Sequence, residues 1–154
     1  MPSKGIIGNR VLSIVLTLVF VGALGMLGFI VANPSSGEKF TEFYLLGLNG
    51  KATDYPKELR VGEEGKVILG IINHEREPLT YRVEILIDAV KDSEVGPVTL
   101  EHGGKWEGTV SFTPDRVGDN EKVEFLLYRQ DQTEVYQELH LWVDVIEAEE
   151  HPVE

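Results

Sequence analysis

The sequence predicts an all-β domain, an immunoglobulin-like antiparallel β-sandwich of about seven strands, preceded by one N-terminal transmembrane α-helix. Three observations predict it. Residues 11–32 form an apolar run without a charged side chain. After Lys39, short apolar runs alternate with clusters of Gly, Pro, Asn and Asp, the punctuation of strands and turns rather than of helices. The charge divides at the same boundary: of the formal −12, the first 33 residues hold only the cations Lys4 and Arg10, so the remainder is strongly acidic.

The apolar run, VLSIVLTLVFVGALGMLGFIVA, extends roughly 33 Å as a helix, enough to cross a bilayer core. It exceeds the usual apolar core of a signal peptide. It also ends Ile30-Val31-Ala32-Asn33-Pro34, without the pair of small residues that a cleavage site requires, so retention as an anchor is expected. Lys4 and Arg10 precede the run and Glu38 is the first charge after it. The positive-inside rule therefore places residues 1–10 in the cytoplasm. Residues 33–38 read as a linker, 39–147 as an extracytoplasmic sandwich and 148–154 as an acidic disordered tail. Gly22, Gly25 and Gly28 read as ordinary membrane-helix glycines.

Candidate strands are residues 40–46, 58–61, 66–73, 80–89, 97–100, 105–112, 122–129 and 134–146. Alternation assigns their inner faces, because successive side chains of a strand point to opposite sides. Tyr81, Val83, Ile85 and Ile87 form one inward stripe. Val135, Leu139, Leu141, Val143 and Val145 form a second, and Val67, Leu69 and Ile71 a third. Trp106, Val110 and Phe112 are expected to pack opposite. Asn49-Gly50 marks a tight turn after the first strand. Cysteine is absent, which for a domain outside the membrane points to a prokaryotic surface protein rather than a disulfide-stapled module.

The strings FTEFYLLGLNGKATDYPKELRVGEEGKVILGIINHE, YRVEI, KVEFLLY and ELHLWVDV follow one another from Phe40 to Val145. In this order they resemble the prokaryotic, mainly archaeal, membrane-protein family known as domain of unknown function 1616. The resemblance implies an extracytoplasmic immunoglobulin-like domain on a membrane anchor, with no catalytic residues to carry over. Many members of that family carry several membrane helices before this domain, whereas this sequence has one apolar run.

The acidic balance argues against nucleic-acid binding, which needs a basic surface. His74, His102, His140 and His151 show no HExxH or HxH spacing and have no cysteine partners, so neither zinc nor any other cofactor is expected. Asp115, Asp119 and Glu121 fall in an oxygen-rich segment read as a loop between strands, a weak calcium candidate that lacks EF-hand spacing. Glu63-Glu64 is a carboxylate pair, but no Gly-x-Ser-x-Gly or paired nucleophile accompanies it, and no enzyme activity is expected. The strongest candidate is an outward-facing aromatic patch. If Val123, Phe125, Leu127, Leu139, Leu141 and Val143 point inward, then Leu126, Tyr128, Tyr136, His140 and Trp142 gather on the opposite face. Such a patch suits an envelope protein partner or, alternatively, a surface glycan, unless a loop or the first strand covers it and Trp142 is a second core layer. A structural stalk without a ligand is the third reading.

Overall fold

A computed structural model of the chain describes residues 4–32, 37–130 and 132–150. Most of the linker expected at 33–38, the tail from His151 and the first residues of the segment expected in the cytoplasm lie outside the described residues. The chain divides into two compact units, Met1–Glu38 and Lys39–Glu154.

The first unit is one helix, α1 (Lys4–Ala32). Within it Gly8–Ala32 is long and apolar enough to cross a membrane, with a mean hydropathy of 2.7. Its large side chains are exposed on every face, Val11, Phe20 and Phe29 among them. Thr17 donates its hydroxyl to the Ser13 carbonyl at 2.8 Å, which satisfies the polar group inside the helix.

The second unit contains β1 (Thr41–Leu46), β2 (Glu58–Arg60), β3 (Gly65–Asn73), β4 (Leu79–Ile87), β5 (Val90–Leu100), β6 (Lys105–Phe112), β7 (Gly118–Arg129) and β8 (Gln137–Ile146). They form a three-stranded sheet, β1-β3-β6, and a five-stranded sheet, β2-β8-β7-β4-β5. All pairings are antiparallel except β2 with β8. Period-two alternation is visible in the burial of β4, where Tyr81, Val83 and Ile85 are buried between half-exposed neighbours. The smaller sheet contributes Phe43, Leu45, Val67, Leu69, Ile71, Val110 and Phe112 to the core. The larger contributes Leu59, Tyr81, Val83, Ile85, Val123, Phe125, Leu127 and Val143. Phe112 and Phe125 meet edge to face across the two sheets at 6.3 Å, a favoured aromatic geometry. Each such ring, fully withdrawn from water, contributes about 2–3 kcal/mol.

Four expectations are corrected. Strand β5 begins at Val90, not Pro97, because Asp88 and Ala89, both with positive φ, make a two-residue hairpin turn that no Asn-Gly signature advertises. Lys91 to Glu94, which it adds, are polar, as suits an edge strand. Trp106, Val110 and Phe112 belong to the sheet opposite the stripes of β4 and β8, but not opposite Val67, Leu69 and Ile71, because β6 sits beside β3 with Trp106 aligned to Ile71. Val135 is 44% exposed rather than inward, since β8 starts only at Gln137. Finally, β7 starts at Gly118, so Asp119 and Glu121 belong to a strand, with a register shift between Gly118 and Glu121, and not to an open loop.

Candidate functional site

The outer face of the five-stranded sheet carries most of the aromatic candidates, and cross-strand register decides what surrounds each. Register sets Arg82 beside Tyr128, Glu84 beside Leu126, and Glu124 beside His140. It also sets Leu126 beside Glu138 and Lys122 beside Trp142. Apolar groups on this face are therefore separated by charge. The Lys122 ammonium joins Glu124 at 2.7 Å and Glu138 at 3.0 Å, and the hydrogen bond from Lys122 holds the Glu138 carboxyl below its ordinary range.

Of the five expected patch residues, Leu126, Tyr128, His140 and Trp142 share this face, but their exposure differs sharply. Trp142 is 54% exposed. His140 is also exposed and meets the Trp142 ring edge to face, with centroids 5.7 Å apart and planes at 78°. Leu126 is half-buried between its carboxylate neighbours. Tyr128 is only 8% exposed, because the Arg82 guanidinium lies over its ring at 4.0 Å. Arg82 is held there by Glu84 at 2.6 Å, and burial raises the Tyr128 hydroxyl above its ordinary pKa.

Tyr136 does not join this face, which corrects the expected patch. It precedes β8, so the alternation that assigned it outward does not apply to it. Its hydroxyl donates to Glu75 Oε1 at 2.6 Å, and Thr41 donates to the same oxygen at 3.0 Å. The Tyr81 hydroxyl lies 2.9 Å from Thr41 Oγ1. Arg129 stacks on the Tyr136 ring at 3.8 Å and approaches Glu75 at 3.6 Å. Glu75 is 4% exposed, and the cluster ties β1 of one sheet to β4 and β7 of the other. In the sequence Glu75 stands in a polar loop, NHEREP, and nothing there distinguishes a buried carboxylate from a solvated one. A carboxylate so enclosed needs these donors, because an unpaired buried charge is very costly.

The remaining candidates are not gathered into one site among the described residues. Asn120 N–H donates to Asp144 Oδ1 at 2.8 Å, and Asp115 is exposed and paired weakly with Arg116 at 3.8 Å. Among the described residues no group of three or more acidic, His or Cys side chains is placed to hold a metal. Glu63 accepts the Arg60 N–H at 2.8 Å, and Glu64 pairs with Lys66 at 3.3 Å; the pair shapes the turn before β3. His74 stacks on Phe40 at 4.6 Å and bonds Glu42 at 2.7 Å. His151 lies outside the described residues. A cavity of about 440 Å³ opens on β4 and β5, lined by Thr80, Tyr81, Arg82, Glu94, Pro97 and Gln130; its Arg82 and Glu94 are already paired with Glu84 and Lys91.

A two-sheet sandwich following one fully exposed apolar helix defines the class: an all-β module with a candidate membrane anchor. The family model for the domain of unknown function 1616 matches residues 34–144, and the chain belongs to that family. No curated protein matches the chain significantly. Among solved structures, it is similar to the CARDB domain of a Pyrococcus furiosus protein in complex with di-metal ions, at 11% identity and a TM-score of 0.51. That match covers 71% of this chain and 90% of the other, and it shows the sandwich fold. An alkylpurine DNA glycosylase of Pseudomonas fluorescens matches at 12% identity, over 68% of this chain and 30% of its own, with a TM-score of 0.46. A β-glucosidase of Listeria innocua matches at 17% identity, over 70% and 17%, with a TM-score of 0.40.

Proposed function

We propose that the protein is a single-pass membrane module, N-terminus in the cytoplasm, that presents its sandwich outside the cell and binds a partner protein of the envelope through Trp142 and His140. The anchor reading rests on a helix whose apolar part, Gly8–Ala32, is unburied throughout. An all-round apolar helix of that length is stable in lipid and costly in water. The orientation rests on Arg10 and Lys4 before the span and an acidic remainder after it.

One observation carries the binding reading: Trp142, a large amphipathic ring, stands 54% exposed on a sheet face whose other aromatic, Tyr128, is covered. Burying such a ring at a partner surface is worth about 2 kcal/mol or more, the scale of an interface hot spot. A protein is favoured over a glycan because His140 and Trp142 are set at 78°, whereas sugar stacking uses a flat aromatic platform. Their charged neighbours Lys122, Glu124 and Glu138 are satisfied among themselves, and form a polar rim rather than free hydrogen-bonding groups for sugar hydroxyls.

The test is a photo-reactive phenylalanine at position 142 of the full-length chain in its own cells, compared with position 92 on exposed β5. A discrete protein adduct at 142 only, lost on competition with unmodified chain but not with the Trp142→Ala chain, is expected. Adducts that are glycans, or equal labelling at both positions, would overturn the reading.

A further inference from the structure

The smaller sheet also has an outer face, and it differs in kind from the one that carries Trp142. On β1 and its flanks Phe40, Tyr44, Leu46 and Leu48 alternate with buried residues, and on β3 Ile68 and Ile72 do the same. Register sets Leu46 beside Ile68 and Tyr44 beside Gly70. Phe40 and Leu48 are 46% and 59% exposed.

Gly70 is what makes this face flat. A Cβ there would lie 2.0 Å from Cζ of the Tyr44 ring, so the ring rests over the glycine instead of standing away from the sheet. The Tyr44 hydroxyl donates to Glu107 at 2.7 Å, which fixes the ring in place. No side chain rises at position 70 to divide the apolar strip.

Charge separates the two outer faces as well. Here the outward ions on the strands balance, Lys66 and Lys105 against Glu42 and Glu107, with Lys105 and Glu107 2.9 Å apart. The outer face of the larger sheet sets the cations Arg60, Arg82, Lys91 and Lys122 against the more numerous carboxylates Glu58, Glu84, Glu94, Glu124, Glu138 and Asp144. In a chain of formal charge −12, two copies repel over most of their surface. The small sheet is the place where they can meet without that penalty.

We propose that the outer face of the β1-β3-β6 sheet packs against the same face of a second copy of this chain, giving a two-fold sheet-on-sheet pair. A two-fold contact uses the same patch on both partners, and flat sheet faces pack about 10 Å apart. Three strands about 4.8 Å apart and roughly 26 Å long present on the order of 400 Å². That is about half of the ~800 Å² each partner buries in a standard interface. The pair is therefore weak between free chains and depends on confinement in one membrane, which raises the effective concentration; to that extent it rests on the anchored reading. Trp142, on the opposite sheet, stays free for its own partner.

Because cysteine is absent from the chain, single cysteines report without background. Ile68→Cys, Leu48→Cys and, as a control on exposed β5, Asp92→Cys are made in the full-length chain. Two differently tagged forms are co-expressed, and the membranes are treated with a short bis-maleimide. A monofunctional maleimide confirms in parallel that each thiol reacts. Homodimers carrying both tags at positions 68 and 48 but not 92, reduced at least fivefold by adding Ile72→Lys, are expected. Reactive thiols in membrane-retained chains that give no homodimer, equal yields at all positions, or adducts to a different protein overturn the pairing alone. Recovery of the chain in the soluble fraction without homodimer overturns both the pairing and the anchored reading.

Discussion

The Tyr136 hydroxyl donates to Glu75 at 2.6 Å, and this contact takes Tyr136 away from the face that carries Trp142. The two residues are six apart in sequence and share the same strand parity, yet one helps close the end of the sandwich and the other meets solvent. Glu75 is the hub: it receives Thr41 and Tyr136 and lies near Arg129.

Removing that hub is therefore a stability experiment. Glu75→Ala leaves Arg129, Thr41 and Tyr136 without their shared acceptor and is expected to cost about 2–4 kcal/mol. Tyr136→Phe removes a single hydrogen bond and is expected to cost about 1 kcal/mol. Urea unfolding of the detergent-solubilised full-length chain, followed by tryptophan fluorescence, measures both. Equal and negligible effects would show that the cluster does not hold the sheets together.

Trp142→Ala is expected to behave in the opposite way. An exposed ring outside the core changes unfolding free energy by about 0.5 kcal/mol or less, while partner adducts fall. A loss of several kcal/mol in the same urea experiment would place Trp142 in the core.

The Tyr44–Gly70 contact predicts a coupled pair. Gly70→Ala would drive its new Cβ against the Tyr44 ring and is expected to destabilise by about 1–2 kcal/mol, the scale of overpacking. In a Tyr44→Ala background the same change removes a strand glycine without a clash, and is expected to be neutral or stabilising by up to about 1 kcal/mol. Additive effects in the double-mutant cycle would contradict the flat placement of the ring.

Alkaline pH tests the buried and half-buried tyrosines together. Burial is the leading cause that raises the Tyr81, Tyr136, Tyr128 and Tyr44 hydroxyls above the ordinary value of 10.0. A group whose folded pKa exceeds its unfolded pKa contributes stability that is fully present below the unfolded value. That stability is lost as pH rises through the folded value. The urea midpoint is therefore expected to hold to about pH 9 and to fall beyond about pH 10, with the absorbance of the Tyr81 tyrosinate appearing together with unfolding. Ionisation of Tyr81 ahead of unfolding, read as the absorbance lost in Tyr81→Phe, would contradict the burial.

Wherever a strand runs uninterrupted with one face in the core, periodicity disclosed it. Val67, Leu69 and Ile71, and likewise Tyr81, Val83 and Ile85, are buried as their alternation predicts. Legibility failed where tertiary context decides. The polar first half of β5 is a strand because β4 pairs with it, not because Lys91 to Glu94 favour one. Tyr136 and Val135 lie just before β8, where parity has no meaning. Tyr128 is outward as its parity states, but Arg82 on the neighbouring strand covers it. The patch was therefore readable only in part, since a sequence shows which face a side chain takes and not what lies over it.

In the proposed topology, the anchored chain exposes Trp142 outside the cell. Trp142→Cys, in a chain with no native cysteine, tests location and exposure together when intact cells are treated with a membrane-impermeant maleimide. Labelling before lysis is the predicted result. Labelling only after lysis would contradict the orientation, and a thiol that stays unlabelled until the protein is denatured would contradict the exposed face.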